Sequence, residues 1–231
     1  MKLSVSLPDN ELELAQAAAA GGADAVKVHM NVVHRASGAA FGGFAEERGR
    51  VLKVIAEAGL PVGLMPGQER LPAATELQEL ADAGLSFLDI YAHHLPASYL
   101  PLAAKLDLIP AIDRFYSEEL LEALTGLRWC GKRVAAMLEA AIVPPEDYGT
   151  PLSALDAAHY HALAEASEVP LLIPTQKAIT PDDLPAIAGK NIGGIMIGVI
   201  VTGRTAGGLQ AVTAQFRRAL DGLAGSGKRL Q

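Results

Sequence analysis

PLLIPTQKAITPDDLPAIAGKNIGGIMIGVIV, residues 170–201, holds two short apolar β-rich runs, PLLIPT (170–175) and GGIMIGVIV (193–201), on either side of a segment with helix-start chemistry. Thr180-Pro181-Asp182 opens that segment with a capping hydroxyl, a proline suited to the first turn, and an acid facing the helix dipole. Strand, helix and strand in this order form a crossover unit, which lays the two strands parallel in one sheet.

The same unit repeats outward to the start of the chain. LSVSL (3–7) leads to ELELAQAAAA, and DAVKVHM (24–30) leads through a long loop to EERGRVLKVIAEA. PVGLM (61–65) precedes a helix around 73–83, and SFLDIY (86–91) precedes one around 97–105. LDLIPAI (106–112) precedes SEELLEALT, and RVAAMLEAAIV (133–143) precedes SALDAAHYHALAEA. The run at 193–201 then leads to a last helix at about 206–222. Eight such units, with no Gly-x-Gly-x-x-Gly turn after the first strand, predict an α/β fold of one particular kind. It is a single (βα)8 TIM barrel with a parallel eight-stranded core, spanning 1–231 and fraying from about 224. Pro8-Asp9-Asn10 and Ser117-Glu118-Glu119 read as further helix starts, and Gly21-Gly22, Gly59 and Gly84 as helix ends. The long βα loops, Asn31 to Gly43 and Pro144 to Pro151, fall on the face where barrels carry their chemistry.

Composition narrows the partner. The chain has 231 residues, half of them hydrophobic, and a formal net charge of −7. Its basic residues form nothing larger than pairs such as Lys132-Arg133, which argues against nucleic acid or an anionic membrane surface. Apolar runs fall far short of the ~20 residues that span a bilayer, and the N-terminus lacks a signal peptide's pattern, so the expectation is a soluble cytoplasmic protein. Cys130 is the only cysteine, which leaves no intramolecular disulfide and no two-cysteine metal or redox site. A small-molecule partner is the simplest class, with a homo-oligomer open. GLAGSGK (222–228) spells a P-loop by letter, but it follows a helix and has Arg229 where Ser or Thr would hold magnesium.

Barrel strands alternate inward and outward residues, and active sites assemble from inward side chains at the C-terminal ends. Lys27 and His29 share one face of the second strand; Asp89, Tyr91 and His93 share one face of the fourth; Met137, Glu139 and Ala141 share one face of the sixth. Asp113 ends the fifth, Thr175, Gln176 and Lys177 end the seventh, and Thr202 closes the eighth. A charge inside an apolar core costs several kcal/mol unless paired or solvated, so Lys27, Asp89 and Glu139 are expected to meet at the barrel centre. As a catalytic set, Lys27 with a lowered pKa is base or Schiff-base nucleophile. Glu139 and Asp89 are its acid/base partners, with His29 and His93 polarising a carbonyl or relaying protons. The bland alternative is a structural ion-pair network. His34, in the glycine-containing loop HRASGAAFGG, is a candidate to close over a substrate. No cofactor is expected. A divalent metal held by His29, His93, Asp113 and Glu139 is the rival reading, although the first strand carries no His-x-His and His93-His94 are adjacent.

LIPTQKAITPDDLPAIAGKNIGGIMIGVIVTG (172–203) resembles the final two units of the phosphate-binding (βα)8 barrels, the group that includes thiamin-phosphate synthase, N-acetylmannosamine-6-phosphate epimerase and tryptophan-pathway enzymes. The matching features are Thr180-Pro181-Asp182 and the strand-ending segment Ile197-Gly198-Val199-Ile200. The resemblance implies a phosphorylated or otherwise anionic substrate held near Gly198, Thr202 and Gly203 by backbone amides. Where the group has glycine after the seventh strand, this chain has Thr175-Gln176-Lys177, so Lys177 and Arg204 would supply charge and Thr175 and Thr202 hydroxyls. The expected activity is epimerase, isomerase or aldolase chemistry beside a carbonyl, with metal-assisted hydrolysis or lysis and a non-catalytic binding barrel as alternatives.

Overall fold

A computed structural model describes residues 1–226. Eight strands run parallel: β1 (Lys2–Ser6), β2 (Ala25–His29), β3 (Val62–Met65), β4 (Phe87–Tyr91), β5 (Asp107–Ile112), β6 (Leu138–Ala140), β7 (Leu171–Pro174) and β8 (Ile192–Ile197). Each bonds to its neighbours in chain order, and β8 returns to β1 in register from Lys2↔Gly194 to Val5↔Ile197, so the sheet closes into a barrel. The expected eight-stranded parallel core is therefore present.

Helices pack around it: α1 (Leu12–Ala20), α2 (Phe44–Glu57), α3 (Ala74–Asp82), α4 (Glu118–Gly126), α5 (Ala154–Ala166), α6 (Leu184–Ile187), α7 (Val199–Thr202) and α8 (Ala206–Ser226). The main core lies between barrel and helices, where strand residues such as Leu3, Val5, Val26 and Val28 meet Ala15, Ala18, Leu209 and Phe216. Burying a side chain of leucine or valine size stabilises the fold by roughly 1.5–3 kcal/mol. Inside the barrel a smaller apolar plug of Phe87, Ile109, Leu172 and Met196, flanked by Ala25 and Met137, fills the lower part.

Several elements depart from expectation for local reasons. The segment after β4 is a 3₁₀ helix, Ala97–Ala104, because Pro101 lies inside it and removes a backbone donor. β6 is three residues long rather than the eleven of 133–143. Arg128–Trp129 and Lys132–Arg133 form a separate hairpin, turned by Cys130 (φ 48°) and Gly131 (φ 83°), and ladder bonds begin where β5 and β7 run alongside. The run 193–201 divides at Gly198, after which Val199–Thr202 is one helical turn. Ser117 caps α4 by accepting from Leu120 N–H, and Asp183 accepts from both Thr180 N–H and its hydroxyl, as helix-start chemistry requires. Asn10 does not cap α1, which begins at Leu12 with no side-chain cap; its amide is used elsewhere. Of the tail expected to fray, 224–226 belong to α8, and 227–231, including the end of GLAGSGK, lie outside the described residues. Among the described residues no helix is long and apolar enough to cross a membrane.

Candidate active site

The C-terminal ends of the strands open into a cavity of about 160 Å³. Lys27, Asp89 and Glu139 lie at its centre, contributed by β2, β4 and β6, that is, by alternate strands, as one interior layer of a barrel should be. The Lys27 ammonium is 2.6 Å from Asp89 Oδ2 and 3.4 Å from Glu139 Oε2, and all three side chains are buried. The expected central meeting of these charges is thus observed, resting on the apolar plug beneath.

Their electrostatics differ from the expectation for Lys27. Burial alone pulls its pKa down, and is the largest single influence, but the Asp89 and Glu139 carboxylates together reverse the sign and raise it above the ordinary lysine value. Lys27 is therefore an ammonium at rest and not a desolvated neutral amine. Glu139 moves the other way from an ordinary carboxylate. Burial and the adjacent Asp89 charge push it well up, against the pull of Lys27.

His29 ends β2 on the same inward face. Burial, then His34, then the Lys27 charge depress its pKa, keeping the imidazole neutral. Nε2 lies 3.3 Å from Ser6 Oγ, whereas Nδ1 is buried without a partner. The ring stacks 4.7 Å from His34 and 4.9 Å from Phe41, both supplied by the loop that follows β2. That loop carries a two-residue antiparallel hairpin, Val32–Val33 with Ala40–Phe41, which brings His34 over the cavity. His34 is held down to about 4 by burial, with Lys27 and Arg204 adding repulsion.

One buried amide fixes this arrangement. β1 ends at Ser6, and Asn10 takes over as ladder partner for His29: its Oδ1 accepts from His29 N–H (3.0 Å) and its Nδ2 donates to the His29 carbonyl (2.7 Å). The same Nδ2 donates to Glu47 Oε2 (2.9 Å), while Glu47 Oε1 accepts from Gly42 N–H (3.1 Å) at the far end of the loop. One carboxylate on α2 thereby links the histidine strand to the base of its covering loop.

Tyr91, Thr175, Gln176 and Gly198 also line the cavity. Thr175 Oγ1 accepts from Gly198 N–H (3.0 Å), so that amide is already engaged. Gln176 accepts from Val143 N–H (3.1 Å) and donates to the Tyr148 hydroxyl (2.6 Å). His93 and Asp113 lie apart from the central charges, in an adjoining outer cavity with His94, Arg114 and Phe115. Lys177, Thr202, Gly203 and Arg204 line neither. Lys177 donates instead to Thr150 Oγ1 (3.0 Å) and pairs with Asp156 (3.6 Å) and Asp147 (3.9 Å), tying down the loop after β6. The Thr202 hydroxyl is turned to the Gly203 carbonyl, and Arg204 is exposed. Among the described residues no three His, Cys, Asp or Glu side chains are grouped to hold a metal ion.

Sequence reasoning missed Ser6, Arg35, Gln68 and Tyr148, which line the cavity. Ser6 was within reach, since LSVSL alternates and places its serines on the inner face. Arg35, Gln68 and Tyr148 sit in loops, where no periodicity points inward.

A closed parallel barrel with an ionisable cavity at the C-terminal mouth makes this chain a (βα)8 protein. No protein-family model matches it, and no curated protein sequence does. Solved structures do: phosphoribosyl anthranilate isomerase from Thermotoga maritima superposes with a TM-score of 0.68 over 96% of this chain and 99% of that one, at 13% identity. Tryptophan synthase from M. tuberculosis gives 0.67 over 94% and 92% at 14% identity. Thiamine phosphate pyrophosphorylase from Pyrococcus furiosus gives 0.60 over 96% and 96% at 16% identity. The likeness is one of fold, and it falls on the group of barrels that residues 172–203 resemble.

Proposed function

We propose that this protein is an enzyme that moves a proton at a carbon next to a carbonyl in a small anionic substrate, an isomerase or epimerase by reaction type, with aldolase chemistry as its close relative. The observation that carries this reading is the buried Lys27 ammonium, 2.6 Å from Asp89 and 3.4 Å from a Glu139 carboxyl pushed well above its ordinary pKa, beside a neutral histidine. In the proposed step the His29 imidazole takes the proton from the carbon, and the C–H electron pair moves onto the carbonyl oxygen as an enolate. Lys27 and Glu139 stabilise that oxygen by donating hydrogen bonds where its charge develops. Return of the proton by His29 to the neighbouring carbon completes an isomerisation, and delivery of a different proton to the opposite face by a second donor, with His29 keeping the one it took, completes an epimerisation. Asp89 keeps Lys27 charged and oriented, and Tyr91 and His34 enclose the site.

Two of the fold neighbours carry a phosphorylated compound in their names, phosphoribosyl anthranilate and thiamine phosphate, which favours sugar phosphates as the first compounds to try. The test is solvent-deuterium incorporation, followed by NMR, across a panel of phosphorylated ketoses and aldoses and their unphosphorylated counterparts. Wild-type protein should exchange the hydrogen beside the carbonyl of one compound, and Lys27→Met and His29→Asn should slow this by about 10²–10⁴-fold, the usual weight of general acid–base catalysis. Exchange that survives both substitutions would sink the assignment. Borohydride separates the imine version: covalent trapping of an exchanging substrate on Lys27 would make it a Schiff-base enzyme. The resting ammonium, paired at 2.6 Å with Asp89, favours the imine-free route.

A further inference from the structure

The cations around the two cavities are not all matched by carboxylates. The Lys27 ammonium lies 2.6 Å from Asp89 and 3.4 Å from Glu139, and burial holds His29 and His34 neutral. One cation remains on its wall. Arg35, on the loop after β2, lines both the inner and the outer cavity, as do Gln68, Tyr91 and Tyr148. Among the described residues it enters no ion pair, whereas Lys177 and Arg114 each face carboxylates. The Tyr91 and Tyr148 hydroxyls feel its charge. At the β8 end of the mouth the Gly198 amide is already occupied by Thr175, and neither Lys177 nor Arg204 lines either of these cavities.

We infer that Arg35 is the oxyanion handle of the substrate, gripping a carboxylate or phosphate group between the two cavities with the Tyr91 and Tyr148 hydroxyls beside it. A guanidinium presents a planar fork of donors that matches either oxyanion bidentately, and the phenol hydroxyls add neutral donors to the remaining lone pairs. This deepens the proton-transfer reading by naming the substrate class. The reacting carbonyl sits on Lys27 and Glu139, the anion sits on Arg35, and the rest of the molecule extends toward His93, Asp113 and Phe115 in the outer cavity of about 340 Å³.

The test is a calorimetric titration with inorganic phosphate and, separately, acetate, on wild type, Arg35→Met, Arg35→Lys and Arg204→Met. Both arginines are exposed, so each variant should fold, which thermal unfolding checks. Arg35→Met should weaken whichever anion binds by at least tenfold, Arg35→Lys should restore part of the loss, and Arg204→Met should stay within twofold of wild type. Preference for phosphate or for acetate then identifies the group. Loss in Arg204→Met with retention in Arg35→Met would move the anion to the β8 end and overturn the assignment, as would the absence of binding by either anion to wild type. The titration needs no turnover, so it stands or falls independently of the deuterium experiment.

Discussion

Lys27 is held in the barrel by charge rather than by solvent, which makes it costly to remove. Breaking a buried ion pair by deleting one partner leaves an uncompensated charge, at a cost of about 3–5 kcal/mol. Lys27→Met should lose stability on that scale at pH 7, read from urea unfolding. Asp89→Asn should cost less, because Glu139 can ionise in its place at 3.4 Å from the ammonium. The histidines and Glu139 give opposite slopes with pH. His34 falls from 6.5 when unfolded to about 4 when folded, so the stability it confers is present above pH 6.5 and lost as pH falls through that window; His29 adds to the same trend. His34→Gln should flatten the acid limb between pH 6.5 and 4. Glu139 is raised from 4.5, so its contribution is present below that value and lost as pH rises, and Glu139→Gln should gain stability relative to wild type above pH 4.5. The three central charges were legible from strand parity alone. The upward shift of Lys27 was not, because its sign depends on two carboxylates 62 and 112 positions further along the chain.

Among elements, the informative one is the loop from Asn31 to Gly43, which a buried Asn10–Glu47 pair fastens to β2. Asn10→Ala would leave His29 N–H, its carbonyl and Glu47 short of partners, at about 1–3 kcal/mol for each buried group left unsatisfied. Hydrogen exchange should show the consequence locally: amides from 31 to 43 and at the end of β2 should lose protection while those of β5 to β8 keep theirs. An even loss across all strands would mean that Asn10 only contributes to global stability. The sequence presented Asn10 as a helix cap, and its local context supports that reading. Only the third dimension shows the strand it completes. The same limit applies to β6, where eleven apolar-leaning residues read as one strand although just three form the strand and, of these, Glu139 alone is paired on both sides. The break at Gly198 was likewise invisible, since Val199 to Val201 are strong strand formers that here make a helical turn.

For the molecule as a whole, the eightfold alternation carried the fold, because parallel strands joined by helices in this number have few other ways to hide both faces. Closure also imposes fine packing that composition does not reveal. Gly63 on β3 points at Phe87, and a methyl group added there would lie 2.0–2.3 Å from its ring atoms. Gly63→Ala should therefore destabilise by about 1–3 kcal/mol or more through overpacking, measurable as a lower urea midpoint, and should disturb Lys27, its register partner, in the site above. A neutral outcome would mean that the interior plug can rearrange.

The pairing of Lys2 with Gly194 also has a bearing on synthesis. The bonds that seal the ring join the first strand made to the last, so a nascent chain still lacking β8 has two unpaired sheet edges, both templates for other chains. Contacts of such long sequence separation are slow to form. Until they do, the exposed edges are a period of vulnerability in which a chaperone or a neighbouring ribosome's product can intervene, and the finished barrel, having no edge, leaves no trace of it.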